Sequence, residues 1–248
     1  MKPKNDKQMR WESSPRWVRV QLNNEFVADS KNVLAVWEHG RYPAYFFPPE
    51  DVRADFLQPT GRSHDGRHTW HVQVGDKEAP NAAYSYTHLT GENKRLNGYI
   101  VFRWHKMDHW FEEAEEVYVH ARDPHHRVDT VASSRHIKVM IEGVTVAETT
   151  RPYLLFETNL PTRYYIPPQD VKMDLLTPTD TVTQCPYKGD AAYWTVDVNG
   201  RTHKDIAWGY PNPILEIPKI KGLLSFYNEK VDVYVDGKLE PRPQTAWS

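Results

Sequence analysis

An internal repeat constrains this chain more than any other feature of its sequence. Residues 16–60 align with residues 135–179 without a gap, at an offset of 119 positions (135 − 16). The agreement is densest between 45–57 and 164–176, which share the pattern Pro-Pro-x-Asp-Val-x-x-Asp. Self-similarity over such a length is the signature of repeated structural units. The sequence therefore predicts two homologous domains at 16–122 and 135–240, preceded by a flexible arm at 1–15 and joined by a linker at 123–134.

The first copy lacks a short segment that the second copy carries. From Trp70 and Trp194 onward the offset is 124, so the first copy has lost five residues (124 − 119). The loss falls opposite 183–188, which we therefore expect to carry the principal site. This alignment places Gly61 and His64 of the first copy opposite Cys185 and Lys188 of the second, and it leaves the first copy without a cationic group there.

A second difference between the copies predicts an insertion in the first. The Val-Tyr-Val triplets at 117–119 and 233–235 align at an offset of 116, which indicates eight extra residues (124 − 116) within 105–116. We expect this insertion to cover the site of the second domain. If the insertion were helical, one face would carry a potential divalent-metal set formed by His105, His109 and Glu112. A decorated loop of solvated charges is the favoured interpretation, so no metal site is predicted.

Composition favours short β-strands. Aromatic residues make up 12% of the chain and prolines number 19. Aromatic side chains suit pleated strands, and proline marks short connections between them. The predicted fold class is therefore all-β, with two tandem small antiparallel domains that each form a barrel or a sandwich.

Charge and cysteine content exclude several classes of protein. Lys and Arg total 31 against 33 Asp and Glu, so the basic excess typical of nucleic-acid binding is absent. A single cysteine excludes an intramolecular disulfide and a thiolate-rich zinc site. No apolar run approaches the roughly 18 residues of a membrane span, and 1–10 lack the apolar stretch of a secretory signal. We expect a cytoplasmic protein without nucleic-acid or membrane partners, and without a cofactor because glycine-rich phosphate motifs are missing.

The second copy resembles a family of bacterial and fungal domains, domain of unknown function 427. The resemblance covers nearly all of 135–240, and it is incomplete in the first copy because the Cys-Pro-Tyr-Lys-Gly segment is missing there. It implies a compact antiparallel β fold, similar to the tent-like arrangement of the Mss4-like group, and no established activity. The residues that carry it include Glu157, Tyr164-Tyr165-Ile166-Pro167, Thr183-Gln184-Cys185-Pro186-Tyr187-Lys188-Gly189, Tyr193-Trp194, Trp208-Gly209-Tyr210 and Val231–Gly237.

The segment around Cys185 holds the sharpest candidates for chemistry. Pro186 restricts the backbone and Gly189 frees it, which predicts a sharp loop that presents a thiol, a phenol and an ammonium. The ammonium of Lys188 favours the thiolate form that nucleophilic attack requires. Cys185 or Lys188 would then be the nucleophile and Glu157 the acid or base. The competing interpretations are that Cys185 is a small buried hydrophobe and that Glu157 is half of a salt bridge, and the latter is slightly favoured.

A set of aromatic residues would wall a ligand cleft beside this loop, stacking on a ring or caging a cation. The alternative is that these side chains form the core of a small β domain. We therefore predict a protein that binds a small, partly aromatic or anionic molecule in the second domain, with two alternatives: an enzyme, and a structural or partner-binding protein. The predicted ligand-binding residues are Tyr164, Tyr187, Lys188, Tyr193, Trp208 and Tyr210.

Overall fold

The computed structural model describes residues 9–38, 42–64 and 66–248, with the backbone alone at 62 and 64. The chain divides into two compact units, Met1–Asp123 and Pro124–Ser248. The described residues of both units are mostly antiparallel strands, and their helices are short 3-10 segments. The all-β tandem organisation predicted from the repeat is thus confirmed, although the described strands form open sheets and not closed barrels. No helix in these ranges is long and apolar enough to span a bilayer.

The described part of the first unit folds into a seven-stranded sheet with the order β1-β4-β5-β9-β8-β7-β6 and a four-stranded sheet with the order β11-β10-β2-β3. Short 3-10 helices connect the strands at Pro49–Asp51, Ala54–Phe56, Gly91–Leu96 and Trp104–Lys106. The strands are β1 (Arg10–Ser13), β2 (Val18–Leu22), β3 (Glu25–Ser30), β4 (Leu34–Trp37), β5 (Ala44–Phe47), β6 (Leu57–His64), β7 (Arg67–Val74), β8 (Lys77–Tyr86), β9 (Ile100–Phe102), β10 (His109–Glu112) and β11 (Glu115–Glu116).

The second unit repeats this plan in three sheets, with the orders β12-β15-β16, β14-β13-β21-β22 and β17-β18-β19-β20. A bridge between Ile166 and Leu224 joins the first and third of these sheets. The 3-10 helices lie at Pro168–Asp170, Met173–Leu175 and Pro218–Ile220. The strands are β12 (Val128–Ala132), β13 (Ile137–Ile141), β14 (Val144–Thr149), β15 (Tyr153–Glu157), β16 (Arg163–Tyr165), β17 (Leu176–Cys185), β18 (Gly189–Val198), β19 (Arg201–Gly209), β20 (Leu224–Phe226), β21 (Asp232–Val235) and β22 (Lys238–Leu239).

Two-residue hairpins open both units, as the sequence predicts. Asn23 and Asn24 have φ of 49° and 63°, and Glu142 and Gly143 have φ of 47° and 79°. Positive φ at both central positions gives the turn whose twist matches that of the flanking strands. The hairpins β2–β3 and β13–β14 follow from these turns.

The predicted arm and linker each contain a strand. Residues 10–13 form β1, which pairs with β4, and residues 128–132 form β12, which pairs with β15. The two strands occupy the same place in the repeat, because 129 and 10 differ by 119. Their polar composition concealed them, since each lies at the edge of its sheet and buries little side-chain area. The repeat therefore begins earlier than residue 16.

The predicted insertion at 105–116 is wrong. Trp110 pairs with Val20 in β2, and Val233 pairs with Val139 in β13. Val20 and Val139 occupy one place in the repeat, so Trp110 corresponds to Val233 at an offset of 123. The first copy has therefore gained one residue (124 − 123), and β10 is the last core strand and not an added cover. The Val-Tyr-Val match at 117–119 was a coincidence of composition.

The five-residue loss lies at the tip of one hairpin. In the first unit the β6–β7 ladder ends at the pair His64 and Arg67. The corresponding pair in the second unit is Thr183 with Ala191, and there the β17–β18 ladder continues to Cys185 with Gly189. Cys185 and Lys188 therefore have no counterparts in the first unit. The alignment of these two residues with Gly61 and His64 is wrong, because it placed the gap before the ladder and not at its end.

The buried apolar side chains of the second unit are divided between two clusters. Ile137, Val139 and Ile141 alternate along β13 and are at most 4% exposed. Burial of each such side chain stabilises the unit by about 1.5–3 kcal/mol. In β16, Tyr164 packs against the cluster of β13, whereas Tyr165 belongs to a second cluster, here called the aromatic cluster. Its buried members are Leu155, Tyr165, Ala191, Tyr193, Trp208, Tyr210, Ile217 and Ile220.

Candidate functional site

The loop at Cys185 is the tight tip of the β17–β18 hairpin. The amide of Lys188 donates to the carbonyl of Cys185 at 3.2 Å, which closes the turn. Gly189 has φ of +99°, and a Cβ there would lie 3.2 Å from the carbonyl oxygen of Asn212. Glycine is therefore required at this position for both its conformation and its lack of a side chain. The sharp loop predicted from Pro186 and Gly189 is confirmed.

A buried ion pair joins this tip to the end of β15. The ammonium Nζ of Lys188 lies 2.5 Å from Glu157 Oε2, and the side chains are 11% and 6% exposed. The other oxygen, Oε1, lies 2.9 Å from Nε2 of His126. The imidazole of His126 stacks on the ring of Tyr187, with centroids 4.2 Å apart. We call His126, Glu157, Tyr187 and Lys188 the tip cluster; His126 was not predicted, because it lies in the segment interpreted as a linker.

The tip cluster keeps Glu157 ionised. Burial raises the pKa of its carboxyl, but the hydrogen bond from His126 and the positive charge of Lys188 outweigh burial, so the pKa is lowered from its ordinary value. An ionised carboxylate accepts hydrogen bonds, so Nε2 of His126 is the donor. Both carboxylate oxygens are engaged, which fits the salt-bridge interpretation of Glu157 better than a role as acid or base.

A nucleophilic role for Cys185 finds little support in its surroundings. Its thiol is free and half-buried. His203, which the sequence offered as a base, pairs with Val196 in the β18–β19 ladder, seven positions along β18 from Gly189. That separation corresponds to about 23 Å of strand. Lys188 is likewise engaged with Glu157 and is not a free amine.

The five aromatic residues that were predicted to line a ligand cleft lie in three different parts of the second unit. Tyr193, Trp208 and Tyr210 are buried in the aromatic cluster, as the core interpretation of these residues requires. Tyr187 belongs to the tip cluster, and Tyr164 packs on the opposite face of β16. Tyr164 therefore does not share a wall with the other four.

Tyr165, which the sequence analysis did not select, takes the place beside Trp208 and Tyr210. Its ring lies 6.5 Å from each of the other two. Alternation along a strand would have assigned the neighbouring tyrosines to opposite faces, but not which face holds the site.

The side chain of Tyr210 is buried, and its hydroxyl makes no hydrogen bond to a described residue. The side chain is 5% exposed. Burial raises the pKa of Tyr210 well above its ordinary value, and the neighbouring Tyr165, Cys185 and Glu157 raise it further. The hydroxyl is not among the fully buried polar atoms that lack a partner, so it keeps some contact with solvent and can accept a partner from there.

At the corresponding place in the first unit, the tyrosine hydroxyls are hydrogen-bonded to a glutamate. Glu38 corresponds to Glu157, and its Oε1 lies 2.9 Å from Nη2 of Arg67. The hydroxyls of Tyr84 and Tyr86 donate to the same carboxylate. Tyr86 corresponds to Tyr210, at the offset of 124. The prediction that the first unit lacks a cationic group here is therefore wrong: Arg67 in β7 supplies it.

The histidine and glutamate side chains at 105–112 do not share a helical face. His109 and Glu112 lie in β10, where odd and even positions point to opposite sides. His109 contacts Glu116 at 2.6 Å, and Glu112 contacts Arg16 at 2.5 Å. The helix invoked for a metal set is thus replaced by a strand that ties these groups to separate partners.

Removing one tyrosine hydroxyl from each unit should show that the hydroxyl of Tyr86 stabilises the fold and that the hydroxyl of Tyr210 does not. We expect Tyr86→Phe to lower the unfolding free energy by about 1.5–3 kcal/mol, because it removes a hydrogen bond to an ionised carboxylate. Tyr210→Phe removes no hydrogen bond to a described residue, so we expect a change below about 0.5 kcal/mol. Urea denaturation of both variants measures the difference. Equal losses would show that Tyr210 also has a structural partner.

The fold and site define a tandem all-β protein in which each unit buries a strand-end glutamate against a cation. A family model for the domain of unknown function DUF427 matches the chain twice, over residues 10–113 and 129–237. The chain therefore belongs to the DUF427 family and contains two copies of its domain. No curated protein matches it.

Proposed function

We propose that the second unit binds a small anionic molecule at the hairpin tip, between Lys188 and Tyr210 and beside Cys185. The observation that carries this proposal is the contrast between two equivalent tyrosines. Tyr86 is bonded to Glu38 in the first unit, whereas Tyr210 has no hydrogen-bond partner among the described residues. An acceptor supplied by a ligand would engage the unpaired hydroxyl of Tyr210.

Lys188 supports the same proposal through its remaining hydrogen-bonding capacity. An ammonium carries three donors, and among the described residues Glu157 accepts from one of them. The residue is 9% exposed, so the other donors have little access to bulk water. A carboxylate or phosphate group would accept from Lys188 and from Tyr210 together. An aromatic portion of the ligand would find a flat surface on the stacked rings of His126 and Tyr187.

The proposal is tested with two simple anions, inorganic phosphate and benzoate. We expect titration of either anion into the isotope-labelled protein to shift the amide NMR signals of 185–189 and 208–210. Lys188→Met should weaken this binding at least tenfold, the equivalent of about 1.4 kcal/mol. Tyr210→Phe should weaken it while leaving stability unchanged.

The matched control is Lys172→Met, which removes an exposed lysine of the same unit. It lowers the net charge by the same amount, so it should leave the titration unaltered if binding is local. Equal weakening by both lysine variants would reveal general attraction of anions to the surface. Absence of shifts around 185–189 with both anions at millimolar concentration would contradict the proposal.

A further inference from the structure

A second buried ion pair lies beside the aromatic cluster, where Arg163 pairs with Leu155 across the β15–β16 ladder. Arg163 and Glu229 form two parallel hydrogen bonds, Nη1 to Oε2 at 2.7 Å and Nη2 to Oε1 at 2.6 Å. Their side chains are 7% and 0% exposed. The guanidinium lies over the rings of Trp208 and Tyr227, at 5.4 and 5.9 Å from their centroids. We call Arg163, Glu229, Trp208 and Tyr227 the Arg163 surface.

The segment 241–248 lies on the Arg163 surface and completes it. Thr245 donates its hydroxyl to Glu229 Oε1 at 2.7 Å, and the ring of Trp247 lies 5.6 Å from the guanidinium of Arg163. The segment also carries hydrogen bonds of its own. The amide of Trp247 donates to Oγ1 of Thr245 at 3.1 Å, and that of Thr245 donates to Oγ of Ser248 at 2.9 Å.

The equivalent segment of the first unit is built into its core. Both segments leave the last hairpin by the same bond, Val117 to Trp110 and Glu240 to Val233. In the first unit Val117 and Ala121 are then 3% and 0% exposed. Within 241–248 every residue is half-buried or exposed. No residue of the second segment is fully buried, so its printed attachments are the contacts of Thr245 and Trp247 with Glu229 and Arg163.

We propose that the Arg163 surface is a docking surface for a Thr-x-Trp peptide, and that residues 245–247 occupy it reversibly within the same chain. Glu229 selects the threonine hydroxyl, because its carboxylate accepts a charge-assisted hydrogen bond. Arg163 selects the indole, because a guanidinium over an aromatic face is attracted to it. Release of the segment uncovers the carboxylate of Glu229 and the guanidinium of Arg163, which are the two groups that it contacts.

The test uses the full chain with the segment weakened in place, as the double variant Thr245→Val/Trp247→Ala. The probe is a synthetic peptide of residues 241–248 carrying a fluorophore at its first residue, with binding followed by anisotropy. We expect the peptide to bind the double variant at least tenfold more tightly than it binds the unaltered protein. In the unaltered protein the tethered segment competes at an effective concentration in the millimolar range.

The control peptide carries alanine in place of tryptophan, and it should bind the double variant at least tenfold more weakly. The double variant should keep its melting temperature within about 2 °C, because no residue of the segment is fully buried. Failure of the variant to fold would show that the segment is part of the cooperative core, which overturns reversible docking. Equal binding of the two peptides, or no binding of either, would overturn the docking surface itself.

Discussion

Glu157→Gln is expected to lower the unfolding free energy of the second unit by about 3–5 kcal/mol at pH 7. Breaking a buried pair on one side leaves the partner charge uncompensated, which costs more than the pair contributes when intact. Here the partner is Lys188, which is 11% exposed and has no other acceptor among the described residues. Urea denaturation at pH 7, followed by circular dichroism, measures the loss.

The unfolding free energy lost on Glu157→Gln should depend on pH in a defined direction. The pKa of Glu157 is lowered from its ordinary 4.5 in the folded chain. Its ionised form therefore contributes stability that is fully present above pH 4.5 and is lost as the pH falls through the lowered value. The difference between the unaltered protein and the glutamine variant should consequently narrow below pH 4.5.

The matched control for this prediction is Glu148→Gln. Glu148 forms an exposed pair with His136 at 2.8 Å, with side chains 49% and 40% exposed. Exposed pairs contribute about 0–1 kcal/mol, so this variant should remain close to the unaltered protein at pH 7. If the two variants lost equal stability, the burial of Glu157 would not be the cause.

A second large loss of unfolding free energy is expected when Arg163 or Glu229 is replaced. Arg163→Leu and Glu229→Leu should each cost about 3–5 kcal/mol, because each leaves one buried charge without its partner. The double variant replaces both charges by apolar groups in a largely apolar environment. We expect it to be more stable than the sum of the single losses implies, with a coupling of several kcal/mol.

A double-mutant cycle measures this coupling. Chemical denaturation of the four proteins gives the unfolding free energies, and peptide hydrogen exchange of 224–235 localises the loss to the second unit. Strictly additive losses would show that Arg163 and Glu229 are stabilised independently, by Asn228 and Thr245 for example, and not by each other.

The repeat and the strand class were accessible from sequence because they are carried by local patterns. The segments at 45–57 and 164–176 share seven of thirteen residues, and each unit folds them into the same pair of 3-10 turns. Features that depend on which strands pair could not be predicted from the sequence. The last core strand at 109–112 has no residue-level likeness to 232–235, and its place follows from its partner β2.

The candidate site was predictable from the sequence only in part, because only some of its residues stand out in their local pattern. A glutamate inside an apolar strand requires a partner, which led correctly from Glu157 toward a salt bridge. The identity of that partner follows from the chain's path, since Lys188 lies 31 positions later. Arg67 and His126 carried no signal, because neither belongs to a motif and each reaches its glutamate through the fold. The tent-like arrangement implied by the family resemblance stays a prediction.

The placement of the two cations restricts how these copies can have diverged by mutation. Each buried glutamate is matched to a cation, Arg67 on a strand in one copy and Lys188 at a hairpin tip in the other. Grafting the longer hairpin onto the first copy would bring a second cation to Glu38, and shortening it in the second would leave Glu157 with His126 alone. Hairpin length and the residue at the Arg67 position, which is Ala191 in the second copy, must therefore change together.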